Sequence, residues 1–227
     1  MIVPSPNPTG ATYTSLYGVS CTSTSSCFAV GEYYEISSYT YLTLVERWDG
    51  TSWAIVPSPS PTGVRESGLA DVSCTSTTSC FAVGTFGHTE GPRDTLFETL
   101  VERWDGTSWA IVPSPNPTAS WSNLSDVSCT STTNCFAVGL SGSNYGPPFS
   151  TLVERWNGSG WAIVPSPNPT GATNNFLYGG RAPAPLAVSP SETLTAAHWS
   201  SVERHELGDR PEPQLARHVV RRVVHQY

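Results

Sequence analysis

Residues 71–84 read DVSCTSTTSCFAVG and residues 99–119 read TLVERWDGTSWAIVPSPNPTA, and each stretch occurs three times. The first returns as GVSCTSTSSCFAVG from Gly18 and as DVSCTSTTNCFAVG from Asp126. The second returns as TLVERWDGTSWAIVPSPSPTG from Thr43 and as TLVERWNGSGWAIVPSPNPTG from Thr151. First cysteines of successive copies stand 53 and 55 residues apart, and the ERW tryptophans 56 and 52. A period near that length suits a four-stranded unit that buries its faces against neighbours of its own kind.

Working outward, each copy divides into four strand-length pieces. Strand A is the run ending in Val19 and Cys21, strand B is Cys27 to Gly31, strand C is Leu44 to Trp48 and strand D is Trp53 to Val56. Alternation in strand C puts Leu44, Glu46 and Trp48 on one face and Val45 and Arg47 on the other. Asp49-Gly50 predicts a tight turn between C and D, because glycine accepts positive φ, and Asn157-Gly158 keeps that chemistry in the third copy. The PSPNP run cannot supply ladder donors at its prolines, so it ends strand D and becomes a stiff connector.

The order CFAVG, variable segment, LVERWDGTSW, IVPSP resembles the kelch repeat, a family with an apolar strand ending in a glycine pair, a strand ending in an aromatic, and a Trp opening the next strand. Here one glycine stands for the pair and Trp for the usual Tyr. The resemblance covers roughly residues 15–169 and implies an all-β fold: three four-stranded antiparallel blades of a kelch-like, incomplete β-propeller, with an irregular C-terminal tail. On this reading residues 1–179 form the array, with blades at 15–57, 68–113 and 123–165, and residues 1–14 end a preceding blade. A β-sandwich and a β-solenoid are the rival architectures. Propellers ordinarily use about 4–8 blades, so three predict an open arc that self-associates through its open blade edges.

Composition fits strands. Hydrophobic residues are 38% and charged residues 13%, with 19 Gly and 20 Pro, a balance that favours short strands and turns over helices. A net charge of −7 argues against a nucleic-acid partner, which needs a basic footprint. No apolar run approaches the ~20 residues of a membrane span. The first residues show no basic stretch followed by an apolar core, so the compartment is read from the cysteines.

Those cysteines form one pair per copy at the same spacing: Cys21 with Cys27, Cys74 with Cys80, Cys129 with Cys135. Each pair brackets the polar A–B turn, where a hairpin can bring two Cα atoms to disulfide distance. A zinc site and free thiols are the rivals, but four-ligand zinc sites show tighter Cys pairs or nearby His, and no His lies in these turns. Three local disulfides are expected, and with them an extracytoplasmic, secreted setting.

No catalytic constellation emerges. There is no GxSxG elbow, phosphate loop or dinucleotide fingerprint. Kelch-like propellers include copper oxidases that hold their metal with His and Tyr, but only His88 lies inside the repeats, so no metal and no cofactor are expected. His205-Glu206 with Asp209 is a broken HExxH pattern. Asn123-Leu-Ser and Asn157-Gly-Ser fit glycosylation sequons. Trp48 and Trp53 read as inter-blade packing rather than a carbohydrate platform, and Glu46-Arg47 as a solvated or inter-blade ion pair.

What varies is the segment between strands B and C: EYYEISSYTYL from Glu32, TFGHTEGPRDTLFE from Thr85, LSGSNYGPPFS from Leu140. Recognition concentrates where a constant scaffold carries differing loops. Tyr33, Tyr34, Tyr39 and Tyr41 in the first copy are therefore candidate ligand-binding residues, with His88 and Arg93 in the second and Tyr145 in the third. The expected function is a non-catalytic extracytoplasmic interaction module for a protein or glycan. The alternative is a fragment of a secreted carbohydrate-active propeller enzyme, an oxidase or hydrolase, whose site lies in missing blades.

Residues 180–227 abandon the pattern just after Leu177-Tyr178-Gly179. A one-base slip in a G/C-rich coding of SCTSTASCFAVG gives Arg181–Glu192, and in TLVER gives His198–Ser201. A two-base slip turns WNGTSWAIVPSPN into Glu203–Gln214 and DVSCTST into Arg222–Tyr227. A chain with 11 basic residues, every one Arg, suits such coding. The tail is expected to be a frame-shifted, non-native and disordered fourth repeat.

Overall fold

A computed structural model describes residues 2–89, 95–117, 121–143 and 146–179. Within them each copy of the repeat folds into four antiparallel strands, and all the extended regular structure is β. The first unit holds β1 (Ala11–Ser23), β2 (Ser26–Glu35), β3 (Thr40–Trp48) and β4 (Trp53–Val56). The second holds β5 (Glu66–Ser76), β6 (Ser79–Thr89), β7 (Thr95–Trp104) and β8 (Trp109–Ile111). The third holds β9 (Trp121–Ser131), β10 (Asn134–Ser143), β11 (Gly146–Trp156) and β12 (Trp161–Ile163). One short parallel bridge joins each unit to the next, Tyr41 opposite Glu66 and Phe97 opposite Trp121, so the twelve strands form one sheet that does not close. A third bridge sets Phe149 opposite Asn174, placing residues 172–176 where a further first strand would begin.

The alternation of apolar side chains decides which faces are buried. Phe28, Val30 and Val45 on one face of the first unit pack against Leu69, Val72, Ala82, Leu100, Trp104 and Trp109 of the second. Phe81, Val83 and Val101 repeat that contact with Leu124, Val127, Ala137, Leu152, Trp156 and Trp161 of the third. The core is thus two layers, each lying between successive units. Burying aliphatic and aromatic side chains of this size contributes roughly 1.5–3 kcal/mol apiece, which is why the faces rather than the short parallel bridges hold the array.

The glycine ending CFAVG is set by backbone proximity. A Cβ at Gly31, Gly84 or Gly139 would fall on the carbonyl oxygen of Ser15, Gly68 or Asn123 respectively. Opposite each lies a register shift in the first strand, between Leu16 and Gly18, Leu69 and Asp71, and Leu124 and Asp126. Such bulges re-aim one side chain, here Tyr17, Ala70 and Ser125. At the other end of the unit the turn after ERW has four residues. Asp49 Oδ1 accepts the N–H groups of Thr51 and Ser52 at 2.8 and 2.9 Å while Gly50 sits at φ 101. Asp105 and Asn157 build the same turn, and the hydrogen bonds hold the carboxyls of Asp49 and Asp105 down to about 2.

The strands are longer than the sequence predicts. The second and third strands of the first unit do not stop at Gly31 and Leu44. They continue as a regular ladder through Tyr33 opposite Leu42 and Tyr34 opposite Tyr41 to Glu35 opposite Thr40. Tyr and Thr favour a pleated, half-buried surface, so the variable segment is mostly hairpin, with a loop only at Ile36–Tyr39. First strands also begin earlier, at Ala11 rather than residue 15, so residues 11–14 belong to the first unit. Residues 2–8 carry no strand.

Three disulfides, Cys21–Cys27, Cys74–Cys80 and Cys129–Cys135, close across the first hairpin of each unit. The paired residues are direct ladder neighbours. Among the described residues no helix is long and apolar enough to cross a membrane. Residues 180–227, expected from the sequence to be a frame-shifted and disordered tail, lie outside the described residues.

Candidate functional site

Between units, the ERW motif divides its labour by alternation. Glu46, Glu102 and Glu154 are fully buried, Glu102 and Glu154 in the two junctions and Glu46 on the outer face of the first unit, beneath the segment that carries Ser5. Their carboxylates do not pair with the neighbouring arginines. Each accepts a hydroxyl from the PSP serine one repeat earlier: Ser5 to Glu46 at 2.8 Å, Ser58 to Glu102 at 2.9 Å, Ser114 to Glu154 at 2.7 Å. Burial pushes the Glu102 carboxyl up to about 8 and that of Glu154 to about 7, opposed only by the serine hydrogen bond. Glu154 Oε1 has no partner among the described residues. The arginines lie on the opposite face over aromatic rings: Arg47 5.7 Å from the Phe28 centroid, Arg103 5.6 Å from that of Phe81. This carboxylate–hydroxyl clasp replaces the expected ion pair, because adjacent strand residues cannot share a face.

The hairpin end is where the units differ. In the first unit Tyr34 and Tyr41 are ladder partners with ring centroids 4.9 Å apart, and Tyr13 of β1 meets Tyr41 edge-on at 6.2 Å. Tyr33 lies on the other face opposite Leu42, its phenol raised by burial and by Glu35. Tyr39 stands at the tip, 73% exposed, at φ 54. In the second unit His88 stacks with Phe86 at 6.2 Å. Arg93 and Tyr145 lie outside the described residues. Of the seven sequence-predicted residues, then, the fold brings Tyr34 and Tyr41 into contact, leaves Tyr39 at the tip, sets Tyr33 on the far face and puts His88 on a separate unit.

Sequence reasoning missed the rings that run on from there. Phe97 stacks with Trp121 at 4.9 Å, Trp121 meets Phe149 at 6.5 Å, and Phe149 meets Phe176 at 5.6 Å. The signal was available: Tyr41, Phe97 and Phe149 each stand two residues before TLVER, and each forms a parallel bridge to the segment that follows its unit. Those residues lie in segments that differ between the copies, so aligning the constant stretches does not reveal the position they share.

Beside the bulge of β1 lies a cleft of about 160 Å³ lined by Tyr17, Glu32, Leu69, Thr85, Asn123 and Leu124. Tyr17 donates its hydroxyl to Glu32 Oε1 at 3.0 Å. Burial raises the Glu32 carboxyl, with Glu66 adding to the rise and the Tyr17 hydrogen bond opposing it. Among the described residues no group of three or more His, Cys, Asp or Glu is placed to hold a metal ion. The arrangement offers flat aromatic surface, phenol hydroxyls and carboxylates, the chemistry of stacking and hydrogen bonding to a ligand. No known protein family and no curated protein matches this chain.

Proposed function

We propose that this chain is an incomplete, kelch-like propeller of three blades acting as a non-catalytic, extracytoplasmic interaction module. Its hairpin end presents aromatic side chains to a protein or glycan. The observation that carries the reading is the contrast within one repeat: junction residues recur position by position, while hairpin ends differ and leave rings such as Tyr13 and Tyr39 47% and 73% exposed. Four-stranded units packed face on face with their first strands side by side support the propeller reading, and three hairpin disulfides support an oxidising compartment. Aromatic faces are worth about 0.5–1.5 kcal/mol per stacked ring beyond burial, so several are needed for useful affinity.

The test is binding of the whole chain to immobilised neutral polysaccharides and to secreted proteins, compared with Tyr34→Ala and Tyr41→Ala. Loss of a wild-type signal by tenfold or more in either variant, with unchanged thermal unfolding, is the expected result. Binding that persists undiminished in both would place recognition elsewhere.

A further inference from the structure

Among the described residues, two faces of the array lack the neighbour that their equivalents possess. On the first unit Leu16 and Val19 are 39% and 52% exposed, whereas Leu69 and Leu124 are 1% and Val72 and Val127 are 4%. Trp48 and Trp53 lie 5.6 Å apart on that same face, both partly exposed. On the third unit Phe136 lies beneath its own Arg155, 5.6 Å from the ring centroid. No tryptophan among the described residues stacks on it.

These surfaces are the two halves of a contact the chain already makes twice. Phe28 sits against Trp104 and Trp109 at 5.1 and 5.2 Å, and Phe81 against Trp156 and Trp161 at 5.1 and 5.3 Å. Ser20 accepts the N–H of Cys74 at 3.0 Å, and Ser73 that of Cys129 at 3.0 Å. Ser128 carries the third such hydroxyl, and Cys21 the third such N–H. We infer that the Phe136 face of the third unit receives the first unit of a second copy of this chain, head to tail. Phe136 then lies against Trp48 and Trp53 of that copy.

The seat is held in the single chain by residues 164–179. Asn168 Oδ1 accepts the Thr151 N–H at 3.0 Å, and Phe149 donates its N–H to the Thr173 carbonyl at 2.8 Å. Residues 2–12 and 163–173 are the same sequence, IVPSPNPTGAT. A second copy therefore arrives with Asn7 and Thr12 in place of Asn168 and Thr173, and its β1 continues the strand that 172–179 only begins. Each displaced hydrogen bond is remade in kind, while the apolar faces gain a partner. Such a contact is heterologous, using a different surface on each copy, and large exposed apolar faces favour it.

Sedimentation velocity with light scattering on the whole chain tests this. The wild type is expected to gain mass over about a hundredfold range of concentration, as mass action requires. Val19→Arg blocks one face and Phe136→Glu the other; Arg155→Glu, at an exposed position, serves if Phe136→Glu does not fold. Each variant alone is expected to stay monomeric where the wild type is at least half associated. Mixed in equal amounts, the two form a dimer, because each retains the face that the other lacks. A wild type that is monomeric throughout overturns the inference, as do variants that associate like the wild type or a mixture that stays monomeric.

Discussion

The junctions between units and the hairpin ends of the same units obey different rules. The two junctions agree within 0.1 Å in their aromatic spacings, Phe28 to Trp104 and Trp109 against Phe81 to Trp156 and Trp161. They share the serine clasp on a buried glutamate and the arginine over the ring. The hairpin ends share little beyond one aromatic at each bridge, and surround it with Tyr34 in one unit and Trp121 in another. A junction side chain has a neighbour on every side, so its volume and polarity are fixed. A hairpin side chain has a ladder partner and solvent, which leaves its identity free.

The largest expected effect comes from emptying a junction. Phe81→Ala removes a ring that is 1% exposed and lies against two tryptophans, and is expected to cost about 3–5 kcal/mol in urea unfolding. Phe136→Ala at the same position of the third unit, where the ring is only half-buried, should cost less than half as much. Equal costs would mean that the Phe136 face is already covered in solution, and the distinction between inner and outer faces would fail.

Much of this was legible in the residues. The repeat, the four strands per unit, the alternation of Glu46 against Arg47 and the cysteine pairing follow from spacing and period-two burial, because each concerns neighbours close in the chain. The clasp from Ser58 to Glu102 joins residues 44 apart and depends on how one unit lies on the next, which strand patterning does not encode. A motif ERW reads as exposed charge until the junction closes over the glutamate. The extent of the hairpins was also hidden, since variation between copies suggested loops where Tyr and Thr were continuing a ladder.

Titration separates the same two regions by an intermediate amount. The Glu102 carboxyl rises from 4.5 to about 8 on burial in the junction. A raised carboxyl keeps its proton in the folded chain when the unfolded chain has already lost it, so the folded state binds more protons between those values. Its contribution is therefore complete below pH 4.5 and is lost as pH rises towards 8. Glu154, raised to about 7, acts in the same direction. Glu102→Gln keeps an acceptor for Ser58 but cannot ionise. Relative to wild type, this variant should gain stability as pH rises from 5 to 8, measured by denaturant midpoints across that range. Parallel pH profiles for the two proteins would show that Glu102 is solvated and the junction wet.

At the hairpin tip the effect on stability should almost vanish. Tyr39 is 73% exposed and sits at φ 54, in the left-handed region that a bulky side chain seldom occupies and that asparagine tolerates. Its ring makes no aromatic pairing among the described residues, so little burial is lost on replacing it. Tyr39→Asn keeps the turn, eases its backbone and should shift unfolding by no more than about 0.5 kcal/mol, towards greater stability. Holding a large aromatic in an unfavourable backbone region without a packing return is a pattern found at ligand-contacting positions. The same substitution is accordingly expected to weaken any ligand that engages the Tyr34–Tyr41 pair. A loss of stability above about 1 kcal/mol would instead assign the ring to the fold, and the hairpin end would then obey the same packing rule as the junctions.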